Sequence, residues 1–134
     1  MGVGTPAQLI AAIARGVDMF DCVLPTRAGR NGSAYTDSGC IPIKAGRFKT
    51  DYGPIQADCA CYACQHFSRA YIRHLLNVNE ILGHRLMTMH NLHYYADLIN
   101  RARTSIEHGT FAAFHDHILG QEDQRRGRAQ DREG

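Results

Sequence analysis

Three cysteines crowd into six residues at Cys59, Cys61 and Cys64, in the stretch CACYACQHFSRAYIRH. A C-x-C-x-x-C spacing is too tight for unstrained pairing among its own members. Thiolates so placed can instead converge on one ion at about 2.3 Å from each sulfur. A tetrahedral ion needs a fourth ligand, and His66, His74, His84, His90 and His93 lie downstream. A helix over Gln65–Leu82 carries the chain about 25 Å away at about 1.5 Å per residue, which removes His74 and His84. An extended return over Arg85–Met89 then favours His90, with His66 and His93 as substitutes. A filled Cys3His site leaves no position for water or substrate, so its role is structural. The competing readings are a Cys61–Cys64 redox pair and three buried thiols without a ligand.

The rest of the chain bounds what such a clasp could brace. With 134 residues, 44% apolar and 21% charged, one modest core is expected. The net charge of +2 is too small to name a partner. No apolar run reaches the roughly eighteen residues of a membrane span, and the amino terminus lacks a signal-peptide pattern. With an odd count of five cysteines, these features indicate a cytoplasmic protein.

Thr5-Pro6 reads as a helix start, followed by Leu9, Ile10, Ile13 and Val17 at helical spacing and by Gly16 at the end. Val17–Val23 (VDMFDCV) reads as a buried strand with Asp21 near its carboxyl end. A carboxylate between apolar neighbours there is either satisfied by backbone donors or used in chemistry. Beyond it, Arg27 and Arg30 sit three apart in a glycine-rich loop, as a solvated surface or a phosphate grip. Ser33–Thr36 and Cys40–Lys44 are candidate strands. The helix over Gln65–Leu82 closes at Gly83, and a second, Asn91–His108, ends at Gly109. After Gly120 the charged sequence QEDQRRGRAQDREG predicts a disordered tail.

Four segments in order, MGVGTP, GVDMFDCVLPTRAGRNG, CACYACQHFSRAYIRHLL and ILGHRLMTMHN, resemble the carboxyl-terminal third of the tRNA-guanine transglycosylase (queuine tRNA-ribosyltransferase) family, over Met1 to about Ile118. The RNG of Arg30–Gly32 resembles its bacterial branch. The resemblance implies an α/β fold: the carboxyl-terminal part of a TIM (β/α)8 barrel with an inserted zinc-binding subdomain. Its parts would be late barrel units over 1–32, the zinc subdomain over 33–90, a helical region over 91–119 and the tail over 120–134.

By the same resemblance, Asp21 is the nucleophile that attacks the ribose of guanosine at the first anticodon position. Met1 and Gly2 line the base pocket, and Arg27 and Arg30 contact tRNA. Cys59, Cys61, Cys64 and His90 hold a structural Zn2+. The implied partners are tRNA, guanine and 7-aminomethyl-7-deazaguanine, with a homodimer for the whole enzyme. The early barrel strands and the family's general acid/base are missing, so the isolated polypeptide is expected to be inactive and poorly stable. Other classes are a zinc-stabilised RNA-binding module without catalysis and a noncatalytic partner subunit.

Overall fold

The computed structural model describes residues 2–133, with side chains described through Arg128. It is a mixed helix and strand structure. In chain order it contains α1 (Pro6–Ala14), α2 (Leu24–Arg30), β1 (Ser33–Thr36), β2 (Gly39–Pro42), a 3-10 turn (Gly46–Phe48), α3 (Tyr62–His66), α4 (Arg69–Asn77), α5 (Ile81–Glu107) and α6 (Phe111–Glu133). These fall into two compact units, one of Leu24–Ala96 and one of Met1–Val23 with Asp97–Gly134.

The unit of Leu24–Ala96 begins from short local structures. β1 and β2 form an antiparallel hairpin in the register Ser33↔Pro42 to Thr36↔Gly39. The Thr36 hydroxyl donates to the Gly39 carbonyl at 2.6 Å across the turn. β2 stops at Pro42 rather than continuing to Lys44, although Ile43 N–H still bonds the Gly32 carbonyl at 2.9 Å.

The single helix expected over Gln65–Leu82 is two helices. Ser68 is extended and its hydroxyl caps the N–H of Tyr71, so the chain restarts there as α4. α4 ends at Asn77, and Asn79 turns the chain with φ 60°. Gly83 does not close a helix. It lies inside α5, where an added Cβ would meet the Leu75 Cβ at 2.9 Å, so glycine is what lets α5 approach α4. Arg85–Met89, expected to be extended, is helical within α5.

Ile43, Ile55, Ile72, Leu75, Leu76, Leu86 and Met87 form the core of this unit, together with the three cysteines. Arg69 ties the intervening loop to α4. Its guanidinium pairs with Asp51 at 3.2 Å, donates to the Ile55 carbonyl at 2.6 Å and lies over the Phe48 ring.

In the other unit, α1 opens with a capping box. Thr5 Oγ1 accepts from Gln8 N–H, and Gln8 Oε1 accepts in return from Thr5 N–H, each at 3.2 Å. The buried face of α1, Ala7 and Ile10, packs with Leu98, Ala102 and Ile118. α5 ends at Glu107, and Gly109 follows with φ +71°.

Two expectations fail here. Val17–Val23 is not a strand: it is irregular, with Val17, Met19 and Val23 exposed by 41%, 87% and 54%. A strand is completed only by hydrogen bonds to neighbouring strands, and among the described residues the paired strands are β1 and β2. The charged tail is helical to Glu133 instead of disordered. Gln, Glu, Arg and Ala there are good helix formers, and Arg126 pairs with Glu122 one turn before it at 2.8 Å.

Candidate metal centre

The cysteines are placed by the chain around the start of α3. Cys61 is the extended N-cap residue of that helix, and its sulfur accepts from the Cys64 N–H at 3.3 Å. The Cys59 sulfur accepts from the Cys61 N–H at 3.4 Å. Each bond stabilises negative charge on sulfur and aims successive side chains toward one point.

The fourth group arrives by a route the sequence reading missed. The α4 helix leaves the cysteines, the chain turns at Val78–Glu80, and α5 returns as helix, with His90 in its third turn. Its Nδ1 lies 3.7, 3.5 and 3.4 Å from the sulfurs of Cys59, Cys61 and Cys64. An ion bound tetrahedrally at about 2.3 Å to sulfur and about 2.05 Å to nitrogen requires N···S edges of about 3.6 Å. The imidazole nitrogen therefore stands from each sulfur as such an ion would place it.

All four ligand atoms lie within 4.8 Å of one another, and all four residues are buried. On the opposite side of the ring, His90 Nε2 lies 2.7 Å from the Tyr35 carbonyl. A carbonyl can only accept, so Nε2 carries the proton and Nδ1 presents its lone pair to the sulfurs. His66 and His93 are exposed and stand outside the group.

Without a cation the three sulfurs cannot ionise alike. Cys61 is held down to about 3, chiefly by the hydrogen bond from Cys64 and despite burial. Cys64 is pushed well up, first because it is the donor in that bond and then by burial; burial also raises Cys59. A divalent ion removes this inequality, since its charge favours all three thiolates together. The group can thus hold a metal ion and offers no fifth, open position among its side chains.

The remaining candidates are not part of this cluster. Asp21 is exposed in the irregular segment, so the expected penalty for burying it does not arise in this chain. Its carbonyl accepts from the Gly2 N–H at 3.1 Å, and Gly2 has φ 78°, which brings two sequence-selected positions together. Met1 lies outside the described residues. Arg27 and Arg30 are exposed in the last turn of α2, a helix rather than the expected loop. Gly29 lets this helix approach Thr88, where an added Cβ would lie 3.0 Å from the backbone nitrogen.

Sequence reasoning passed over Asn91, which is fully buried and bonds only backbone. The signal was available. Met87, His90, Asn91, Tyr94 and Leu98 recur on one side of α5, and polar residues on a buried stripe require partners.

A family model described as queuine tRNA-ribosyltransferase matches residues 1–124. The chain belongs to that family. The queuine tRNA-ribosyltransferase of Herminiimonas arsenicoxydans is 55% identical over 114 residues, covering 85% of this chain and 30% of the relative. That of Nitrosospira multiformis is 53% identical over 114 residues, 85% of this chain and 31% of the relative. That of Thioalkalivibrio sulfidiphilus is 51% identical over 124 residues, 92% of this chain and 33% of the relative.

The chain thus spans about a third of the length of these curated queuine tRNA-ribosyltransferases. All nine sequence-selected site residues fall inside the family match, and Arg125–Gly134 fall outside it. No helix among the described residues is long and apolar enough to cross a membrane.

Proposed function

We propose that this chain supplies part of a cytoplasmic tRNA-guanine transglycosylase, with a structural zinc clasp on one unit and the reaction's nucleophile on the other. The observation that carries the reading is identity of 51–55% to proteins named queuine tRNA-ribosyltransferase across the stretch that holds both Asp21 and the Cys3His quartet. The activity is assigned to a complete (β/α)8 barrel, of which this chain contributes the carboxyl-terminal part, working as a homodimer. Outside that barrel the chain is expected to be inactive.

In this reading the Asp21 carboxylate bonds to C1′ of guanosine at the first anticodon position as the C1′–N9 bond breaks. Guanine leaves with the bonding pair and takes its proton from an acid elsewhere in the barrel. A 7-deazaguanine, 7-aminomethyl-7-deazaguanine in the bacterial branch, then displaces the carboxylate at the same carbon, its N9 bonding to C1′ as it returns a proton to the conjugate base of that acid. Two displacements retain configuration, as in glycosidases with a carboxylate nucleophile. The target base must leave its stack for its sugar carbon to be reached.

Met1 and Gly2 are assigned to the base pocket, and the Gly2 bond to Asp21 supports placing pocket and nucleophile side by side. Arg27 and Arg30, one helical turn apart and exposed, are suited to the phosphates of tRNA. Cys59, Cys61, Cys64 and His90 would hold Zn2+, which cross-links the α3 start to α5 and takes no part in the displacements. Three sulfurs and one imidazole nitrogen at tetrahedral spacing favour zinc over ions that prefer oxygen.

The test is to incubate the completed enzyme with tRNA in the absence of incoming base, denature it and map the tRNA-bearing peptide. The adduct is expected on Asp21 and is expected to vanish in Asp21→Asn. Attachment at another residue, or normal base exchange by that variant, would overturn the nucleophile assignment.

A further inference from the structure

Asn91 has no assigned part in the metal centre or the displacement, yet it is fully buried and its side chain joins three segments. Its Oδ1 accepts from the Tyr35 N–H at 2.9 Å. Its Nδ2 donates to the Pro25 and Ser33 carbonyls, each at 3.0 Å. These partners fix the amide's orientation, because two carbonyls can be met only by the NH2 group and an N–H only by the oxygen.

The neighbouring His90 takes the other polar backbone atom of Tyr35, its carbonyl, through Nε2. Both outward-facing atoms of Tyr35 on β1 are therefore held by adjacent residues of α5, one of which is the ligand candidate. Pro25 lies in the first turn of α2, the helix that carries Arg27 and Arg30. The other end of α2 rests on Thr88 through Gly29. Each attachment of α2 to α5 lies within three residues of His90.

We propose that Asn91 is a positioning residue: it fixes the amino-terminal end of α2 against the metal-ligating turn of α5, and so sets where Arg27 and Arg30 stand relative to the metal centre. The inference rests on reading the quartet as a metal site and the arginine pair as an RNA contact. The geometry also accounts for asparagine in particular. Aspartate would keep the acceptor for Tyr35 N–H but set a carboxylate oxygen against the Pro25 and Ser33 carbonyls, releasing α2 while Tyr35 still ties β1 to α5.

The full chain, native and Asn91→Asp, is loaded with Co2+ and followed by absorption spectroscopy and amide hydrogen exchange. The variant is expected to keep the native Co2+ spectrum and to keep exchange of the α4 amides Ile72–Leu76 within about twofold of native. The amides of Ala28–Gly32 should exchange at least tenfold faster. Unchanged exchange over Ala28–Gly32 would overturn the proposal. So would loss of α2 and α4 protection together, which is what a general packing role predicts.

If Asn91→Asp does not fold, the same measurements on Asn91→Ser decide, since one short hydroxyl cannot meet all three partners. Faster exchange of Ala28–Gly32 with the native Co2+ spectrum and native α4 protection supports the proposal, and exchange that is unchanged, or protection that is lost in α2 and α4 together, overturns it. A native chain that takes up no ion would remove the metal reading and this one together. Uptake with native exchange in the variant removes this one alone.

Discussion

Residues 24–96 and the segment 17–23 both carry residues selected for chemistry, but they differ in where their physical requirements are met. In the first, Cys59 to His90 span 32 positions and the four ligand candidates find their partners inside the unit: N–H groups on sulfur, Tyr35 on the imidazole, a shell of Ile and Leu around them. In the second, Val17, Met19 and Val23 face solvent, and the backbone forms no sheet. A metal site is a local object that one loop and one helix can finish. A buried strand is a collective one whose stability lies in its neighbours.

Metal removal should break that contrast most severely. Ligation by three thiolates and an imidazole is worth about 10–16 kcal/mol in small zinc domains, more than a unit with so small a core can replace. Chelation, or Cys61→Ser, is expected to unfold Leu24–Ala96, seen as lost metal by elemental analysis and lost protection of α4 in hydrogen exchange. The unit of α1 and α6 should change far less. Acidification should act in the same direction. The ligands bind metal only when deprotonated, so falling pH adds protons to thiolate and imidazole and lowers affinity, and rising pH restores it. A metal-retention curve that rose toward low pH would contradict the ligand set.

Core substitutions sharpen the comparison at a smaller scale. Leu86→Ala, fully buried beside the metal centre, should cost about 2–5 kcal/mol in chemical denaturation of the metal-loaded chain. Thr5→Ala, which removes the α1 cap, should cost about 1 kcal/mol. Met19→Ser should change the stability of this chain by no more than about 0.5 kcal/mol, because its side chain is 87% exposed. A Met19 effect as large as that of Leu86 would mean that the segment is packed after all.

The same locality separates what could be read in the sequence from what could not. The C-x-C-x-x-C run, the Thr5-Pro6 start and the strands near Ser33 are set by residues within a few positions of each other. They were legible. Proximity of His90 to the cysteines needs no extended path, because a helix broken at Ser68 and turned at Asn79 returns the chain just as well. Ser68 carried a capping signal that the apolar period of Phe67, Tyr71 and Leu75 obscured.

Glycine often ends helices, but Gly83 serves the packing of α5 on α4, which only tertiary structure reveals. The apolar pattern of Val17–Val23 fits a strand, yet it says nothing of whether partners are at hand. Asn91 was hidden for a similar reason: its three partners lie 56 to 66 residues away along the chain.

X-ray absorption at the metal edge of the purified chain tests the central claim most directly. Three sulfurs at about 2.3 Å and one nitrogen at about 2.05 Å, with one zinc ion per chain, are the predicted result. A shell containing an oxygen from water, fewer than three sulfurs, or a chain that binds no metal would contradict it.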